Sequence, residues 1–178
     1  MTSSAEVAEL SDVELAQALD ADATIALAAD AQTRWTMLHH VAMANRATAI
    51  ELLLAHGADV NARTCHDSTA LHVAACNGCT EAAAALVAAG VHVDARDNKL
   101  NTALLRAGQH GHAPIAELLL RSGADASVCN ADGQTVHDRA REGGHAGVLH
   151  ALDFGEARKK EPTHSSISAG CATLLART

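Results

Sequence analysis

Residues 69–75, with the sequence TALHVAA, decide the fold because variants of this segment recur along the chain. The other copies are TMLHHVA (36–42), TALLRAG (102–108) and TVHDRAR (135–141). Each copy begins with a threonine, and successive threonines are 33 residues apart. A fixed period of about 20 to 50 residues is typical of solenoids, in which small units of secondary structure stack side by side.

The residues between the threonines predict two helices in every repeat. A threonine hydroxyl can accept a hydrogen bond from a free backbone N–H at a helix start, and Asp138 follows Thr135 at the spacing of a capping box. The first helix is expected to end at a turn residue, which is Asn45, Gly78, Gly111 or Gly144. A second apolar stretch follows, as AIELLL (49–54), AAAALV (82–87), IAELLL (115–120) and GVLHAL (147–152). Such short units cannot bury a sufficient core alone, so each must stack on its neighbours.

The four segments resemble the ankyrin-repeat family, whose T-P-L-H-x-A signature has the same period. The resemblance implies an all-α fold, a solenoid of stacked antiparallel helix pairs with short β-hairpin fingers at the junctions. We expect an N-terminal helical cap over residues 1–30, ankyrin repeats over 31–152 and a flexible C-terminal tail over 153–178. The expected repeats are residues 31–63, 64–96, 97–129 and 130–152.

The chain departs from the family pattern at three positions of the repeat. The proline after the threonine is absent everywhere and is replaced by Met37, Ala70, Ala103 and Val136. The motif histidine is kept in two repeats and replaced in two, giving His39, His72, Leu105 and Asp138. The glycine expected two residues before the threonine is kept only once, giving Arg34, Asp67, Leu100 and Gly133. We therefore expect irregular tips on the second and third fingers, because residues other than glycine rarely adopt positive φ.

Residues 11–30, SDVELAQALDADATIALAAD, predict a diverged helix pair with Ser11 as its N-cap. Solenoids need such caps because an uncovered terminal repeat exposes its core. The apolar residues expected to cover the first full repeat are Val13, Leu15, Leu19, Ile25 and Leu27.

Composition narrows the choice of partner and compartment. Lys and Arg total 13 against 21 Asp and Glu, so the net charge of −8 argues against nucleic acid. No stretch approaches the roughly 18 apolar residues that cross a bilayer, and the start has no signal-peptide pattern. The five cysteines lack the spacing of a disulfide framework. We expect a protein that is monomeric alone, cytoplasmic or nuclear, with neither nucleic acid nor a membrane as partner.

Motifs for catalysis are absent from the sequence, so we expect no enzymatic activity and no cofactor. The alternative function is a metal- or thiol-responsive switch centred on Cys76 and Cys79, with His72, Cys65 or His66 as extra ligands. No second ligand pair exists at firm spacing, so we expect no metal site. Four histidines stand where the family consensus places histidine and are interpreted as structural, namely His39, His72, His112 and His145.

The resemblance implies a protein–protein interaction module, an adaptor or inhibitor that binds its partner through the concave face and fingers. The contact residues expected on that basis are Trp35, Met43, Arg63, His66, Cys76, Asn77, Arg96, Lys99, Asn101, Gln109 and His110. The basic residues among them predict an acidic face on the partner protein. Trp35 has two interpretations, as an anchor for the partner or as a cover for the junction before the first repeat.

Overall fold

The computed structural model describes residues 10–160, with side chains described for residues 10–154. Ten α-helices lie within these residues. They are α1 Asp12–Ala21, α2 Thr24–Leu27, α3 Met37–Met43, α4 Ala47–Ala55, α5 Ala70–Asn77, α6 Thr80–Ala88, α7 Ala103–His110, α8 Ala113–Arg121, α9 Val136–Glu142 and α10 Ala146–Lys160.

The helices stack in two rows. The first helices of the repeats, α3, α5, α7 and α9, pack each against the next, and so do the second helices, α4, α6, α8 and α10. Within each repeat the two helices also contact each other. At the N-terminus α1 packs on α4 and α2 packs on α3, so both rows are extended by the short helix pair. The predicted all-α solenoid of stacked helix pairs is confirmed.

The four threonines start the first helices as the sequence predicts. Each is the N-cap residue, with extended backbone, of α3, α5, α7 or α9. The Thr102 hydroxyl accepts from the N–H of Leu105 at 3.3 Å. The Asp138 carboxylate accepts from the N–H of Thr135 at 2.9 Å, which confirms the predicted capping box. Local capping therefore fixes the phase of the repeat.

The predicted turn residues end the first helices in a left-handed conformation. Gly78 and Gly111 have φ of 75° and 78°. A Cβ atom on Gly78 would lie 2.7 Å from the ring of His112, and one on Gly111 would lie 2.5 Å from the ring of His145. Glycine is therefore required at both turns by conformation and by space. Asn45 makes the same turn with φ 56°.

The core is a repeating row of small and branched aliphatic side chains. One leucine of each second helix is fully buried, at Leu53, Leu86, Leu119 and Leu152. Leu38, Leu71 and Leu104 fill the equivalent place in the first helices of repeats one to three. In the fourth repeat this place is taken by His137, which is only partly buried. The last repeat therefore contributes less apolar surface to the core.

The N-terminal helix pair covers the first repeat with fewer residues than predicted. Leu15 and Leu19, one helical turn apart, are buried, and Ser11 caps α1 through a capping box with Glu14. Val13 and Leu27 are 68% and 61% exposed, so their prediction as covering residues is wrong. Position 13 is more than half a turn from position 15 and faces solvent.

The finger turns differ from the prediction in two ways. Within residues 10–160 the only β pairing is a single bridge between Ala29 and Thr36, so β-hairpin strands are not confirmed. The tips are also regular, since Asp67 and Leu100 have φ of 57° and 59°, close to the 75° of Gly133. The expectation of irregular tips is therefore wrong.

A side chain at the start of each finger explains this regularity. Thr64 Oγ1 accepts from two backbone N–H groups of its own turn, those of His66 and Ser68, both at 3.2 Å. Asp97 and Asn130 accept from the equivalent N–H groups through Oδ1, at 2.9 to 3.0 Å. These bonds hold the turn closed whichever residue occupies the tip.

Two sets of histidine bonds join neighbouring repeats. His39 and His72 accept from their N-cap threonine through Nδ1 and donate from Nε2 to the next finger, to Ser68 O at 3.2 Å and Asn101 O at 3.0 Å. His112 and His145 donate from Nε2 to the end of the preceding first helix at 3.2 and 3.1 Å. All four are structural, as interpreted from the sequence.

The C-terminal boundary lies further along the chain than predicted. α10 runs through residues 153–160, which were assigned to a flexible tail. No proline lies within residues 146–160, and the next proline along the chain is Pro162, which disfavours helix at the residue before it. The predicted tail beyond residue 160, and the predicted cap before residue 10, lie outside the described residues.

Candidate partner-binding surface

The finger tips form one continuous row along the solenoid. Each tip donates a backbone hydrogen bond to the tip before it, from Cys65 N to Thr33 O at 2.8 Å, and from Asn98 N to His66 O at 3.0 Å. A third bond runs from Ala131 N to Lys99 O at 3.0 Å. Because the backbone polar groups are used within the row, specificity depends on the side chains that point away from it. We call this row, together with the C-terminal ends of α3, α5 and α7, the finger surface.

Three basic side chains stand on the finger surface. Arg63, Arg96 and Lys99 are all exposed. The Arg63 guanidinium is held in place by donating to the carbonyls of Arg96 at 2.9 Å and Asp67 at 3.2 Å. The Arg63 side chain therefore links two fingers and is held in one position by these bonds. These three charges lie within neighbouring fingers of a protein whose net charge is −8.

Two exposed apolar side chains lie on the same surface. Met43, at the end of α3, is 47% exposed, and Leu100, at the third finger tip, is 43% exposed. Leu100 also has a left-handed backbone with φ 59°. A non-glycine residue in that conformation costs on the order of 1 kcal/mol, and such strain clusters at functional sites. Leu100 was missed by the sequence prediction, although an apolar residue where glycine is expected was a signal that could have identified it.

Trp35 lies beside two histidines at the start of the first repeat. Its ring centroid is 5.7 Å from that of His39 and 5.1 Å from that of His40. The side chain is partly buried, and His39 beneath it is fully buried. The ring therefore packs on the first repeat, and both of its interpretations, as an anchor for the partner and as a cover for the junction before that repeat, stay predictions.

Asn101 conflicts with its prediction as a contact residue. It is 2% exposed, its Nδ2 donates to the Asp97 carboxylate at 3.3 Å, and its backbone carbonyl accepts from His72. The side chain is used to close the third finger and cannot meet a partner. Its neighbour Asp97 is also buried and accepts from Arg106 Nε at 3.2 Å.

The remaining predicted contacts lie at the ends of the first helices and, for His66, at the tip of the second finger. Asn77 is exposed and donates from Nδ2 to Val73 O at 2.8 Å, within its own helix. Gln109 is partly buried, and its backbone carbonyl accepts from His145. His66 and His110 are exposed. The structure places these four residues on the finger surface, and their contact with a partner stays a prediction.

Cys76 and Cys79 have different surroundings, although they are only three residues apart. The Cys79 thiol is buried and donates to the carbonyl of Met43 at 3.3 Å, and burial raises its pKa. Cys76 is partly buried, and its Sγ lies 3.2 Å from His110 Nε2. Over the described residues, no three His, Cys, Asp or Glu side chains converge in a way that could hold a metal. The geometry therefore gives no support to a metal or dithiol site shared by this pair.

An open depression of about 320 Å³ lies between the bases of the first two fingers. Its lining includes Arg34, Asp59 and Arg63, so charges of both signs are present. Among the helices of residues 10–160, none has both the length and the apolar character needed to cross a membrane.

Comparison with protein families gives two matches. A family model described as ankyrin repeats (3 copies) matches residues 6–97, and one described as ankyrin repeat matches residues 99–131. The first match includes the N-terminal helix pair α1 and α2, so this pair is related in sequence to the repeats that follow. A comparison with curated proteins gave no match.

Proposed function

Because the chain belongs to the ankyrin-repeat family, whose repeats are protein–protein interaction modules, we propose that it acts as an adaptor or inhibitor of a partner protein. The partner binds through the concave face and the fingers, on the finger surface described above. The third finger tip carries the proposal, because it exposes a strained leucine beside free basic side chains.

The tip is suited to binding for physical reasons. Leu100 keeps a large apolar side chain in solvent at a position where glycine would relieve backbone strain. Among the described residues, the side chains of Arg96 and Lys99 make no hydrogen bond or ion pair. The fold therefore gains little from these three side chains, whereas an apolar contact rimmed by charge is typical of protein interfaces.

We further propose that the partner presents an acidic face. Arg63, Arg96 and Lys99 place three exposed positive charges on neighbouring fingers, with the exposed Asp67 among them, although the whole protein is negative. Complementary charges steer association and select among partners. Binding should therefore weaken as salt increases, because exposed charges are screened over about 8 Å at physiological ionic strength.

The experiment compares capture from native extract by the wild-type protein, by Arg96→Glu/Lys99→Glu and by Arg121→Glu. Arg121 is an exposed arginine on α8 that pairs with Glu117 of the same helix, so it is a control for charge reversal away from the fingers. Quantitative mass spectrometry measures each captured protein, and far-UV circular dichroism verifies the fold of each variant.

We expect a partner that is retained by the wild type and by Arg121→Glu and is lost at least tenfold in the finger variant. The same partner should be released by moderate salt. A set of captured proteins that is unchanged in the finger variant, or lost only in Arg121→Glu, would contradict binding at the fingers. If salt does not change the amount of captured partner, the proposed acidic face is wrong, but binding at the fingers is not contradicted.

A further inference from the structure

We propose that Cys76 and His110 form a thiol–imidazole pair that makes Cys76 the site of thiol–disulfide exchange in this protein. The Sγ of Cys76, near the end of α5, lies 3.2 Å from Nε2 of His110, the last residue of α7. The substrate class is a small disulfide of the glutathione type. This reactivity is independent of the partner proposed above.

The pair is not part of the structural pattern of the repeats. The residues one repeat earlier are Met43 and Asn77, and those one repeat later are Gln109 and Gly143. The four structural histidines each bond a backbone carbonyl, whereas the contacts described for the His110 ring are with the Cys76 sulfur and the ring of His112. The solenoid is therefore built without this pair at its other junctions.

The position allows both the proton transfer and the approach of a small disulfide. Cys76 is partly buried and His110 is exposed, so the sulfur can be reached from the finger surface. The His110 ring stacks on His112 with centroids 6.2 Å apart, and His112 Nε2 donates to the backbone carbonyl of Cys76 at 3.2 Å. These contacts hold the imidazole beside the thiol. The end of a helix disfavours a negative charge, so the imidazolium formed on transfer supplies the compensating positive charge.

The exchange step balances as follows in atoms and electrons. The Cys76 S–H proton passes to His110 Nε2, and the thiolate attacks one sulfur of the disulfide. A new S–S bond forms at Cys76 while the original S–S bond breaks. The departing thiolate takes a proton from the imidazolium or from water. The protein thiol is oxidised, and half of the small disulfide is reduced to a thiol.

The groups around His110 keep its imidazole neutral near pH 7. Burial lowers the pKa of His110, and the charges of His112, Arg106 and His145 lower it further. Arg106 belongs to α7, and His112 and His145 immediately precede α8 and α10. A neutral imidazole can accept the thiol proton, and the lowered pKa makes the imidazolium a ready donor of that proton to the departing thiolate.

The test measures the rate of modification of each cysteine by glutathione disulfide, and by an aromatic disulfide, in the full chain. Peptide mass spectrometry assigns the modified sulfur. Cys65 and Cys129 are internal references, because both are exposed and have no histidine contact described at their sulfur. The variants are His110→Gln and, as a matched control, His92→Gln, which replaces an exposed histidine on a distant turn.

We expect Cys76 to react about tenfold faster than Cys65 and Cys129 near pH 7, because a free thiol is only a few per cent ionised there. His110→Gln should reduce Cys76 to the reference rate, and His92→Gln should change nothing. The proposal is wrong if Cys76 reacts no faster than the references, or if His110→Gln leaves its rate unchanged while circular dichroism shows an intact fold.

Discussion

The junction between repeats two and three and the junction between repeats three and four use the same backbone geometry but different side chains. We call them the second and the third junction. In the second junction His72 of α5 joins its own N-cap to the carbonyl of Asn101 in the next finger. In the third junction Leu105 holds the equivalent place and is buried, but offers no polar atom. The carbonyl of Gln134 keeps its bond within the finger, from Asn130 N, and no side chain among the described residues donates to it.

Repeat four also lacks a charged pair that repeat three contains. In repeat three Asp97 closes the finger turn with one carboxylate oxygen and accepts from Arg106 with the other. In repeat four the same positions hold Asn130 and Arg139. Asn130 repeats the turn contacts through Oδ1, but its other atom is an NH₂ group, which cannot accept from an arginine. The Nε of Arg139 is accordingly buried without a hydrogen-bond partner.

Packing compensates for part of this loss. Gly108 on α7 lies against Val136 on α9, where a Cβ on the glycine would be 2.6 Å from a valine methyl group. The equivalent residues of the preceding junction are Ala75 and Ala103, both fully buried. The third junction thus pairs a glycine with a valine where the second junction pairs two alanines. The third junction depends on shape complementarity, on the bond of His145 and on the backbone bond from Ala131 to Lys99. The second junction has the equivalent bonds of His112 and Asn98 and the His72 bond as well.

Repeats with similar sequences are therefore not equally stable in this chain. Each repeat is stabilised mainly by the interface with its neighbours, so the weakest interface opens first. The fourth repeat has fewer interfacial hydrogen bonds, an orphaned guanidinium nitrogen and a histidine in its core row. We infer that it opens before the repeats that precede it.

The largest expected effect is a loss of stability in acid that acts on the first two junctions alone. Burial lowers the pKa of His39 to about 4, and burial also lowers the pKa of His72. The unfolded chain then binds more protons than the folded chain, so stability falls as the pH drops from about 6.5 towards 4. His39 alone should remove about 2 kcal/mol of unfolding free energy by pH 5.

Urea unfolding at pH 7 and pH 5 measures this loss, and His39→Leu, which copies Leu105, should reduce the difference between the two pH values. The partly buried His56 acts in the opposite direction, because its bond to the Leu52 carbonyl and its contact with Asp20 raise its pKa. His56→Gln is therefore the matched control and should slightly enlarge the loss. Equal acid sensitivity in His39→Leu and the wild type would contradict the role of the buried histidine.

The next effect comes from the close contact in the third junction. Gly108→Ala should destabilise the protein by about 1.5 kcal/mol, because the new methyl group overlaps Val136. Val136→Ala in the same chain should recover most of this loss, since it restores the residue type of the second junction. Unfolding of the two single variants and the double variant gives the coupling energy. Additive effects would show that the two side chains do not determine this contact.

A smaller effect is expected when the second junction is made to resemble the third. His72→Leu removes the bond to the Asn101 carbonyl, which still accepts from Asp97 N within its finger. The expected cost is about 1 kcal/mol, the net value of one hydrogen bond between buried groups. Chemical denaturation at pH 7 measures it. A variant as stable as the wild type would mean that the histidine bond adds nothing to the junction.

The sequence predicts the order of helices and turns in this molecule because that order depends on local interactions. The threonine caps, the glycine turns and the alternation of helices depend on residues close in the chain. The buried face of α1 was only partly predicted, because helical phase decides between Val13 and Leu15. The regular finger tips were missed, since the bonds of Asp97 to its own turn outweigh the preference of Leu100.

The candidate surface was harder to predict because it depends on distances between repeats. The exposure of the basic residues could be predicted from their positions in the repeat. The burial of Asn101 and the contact of Cys76 with His110 involve residues 29 and 34 positions apart, and only the stacked structure brings them together. Sequence spacing alone instead drew attention to the pair of Cys76 and Cys79.

Hydrogen exchange of individual backbone amides tests the unequal junctions most directly. We predict lower protection for α9 than for α5 and α7 in the wild type, and a selective rise in α9 when Asn130→Asp supplies the missing acceptor for Arg139. If α9 exchanges faster only because a terminal repeat frays, its protection would be the same in Asn130→Asp as in the wild type. Equal protection of α5 and α9, or no response of α9 to Asn130→Asp in a correctly folded protein, would contradict the account.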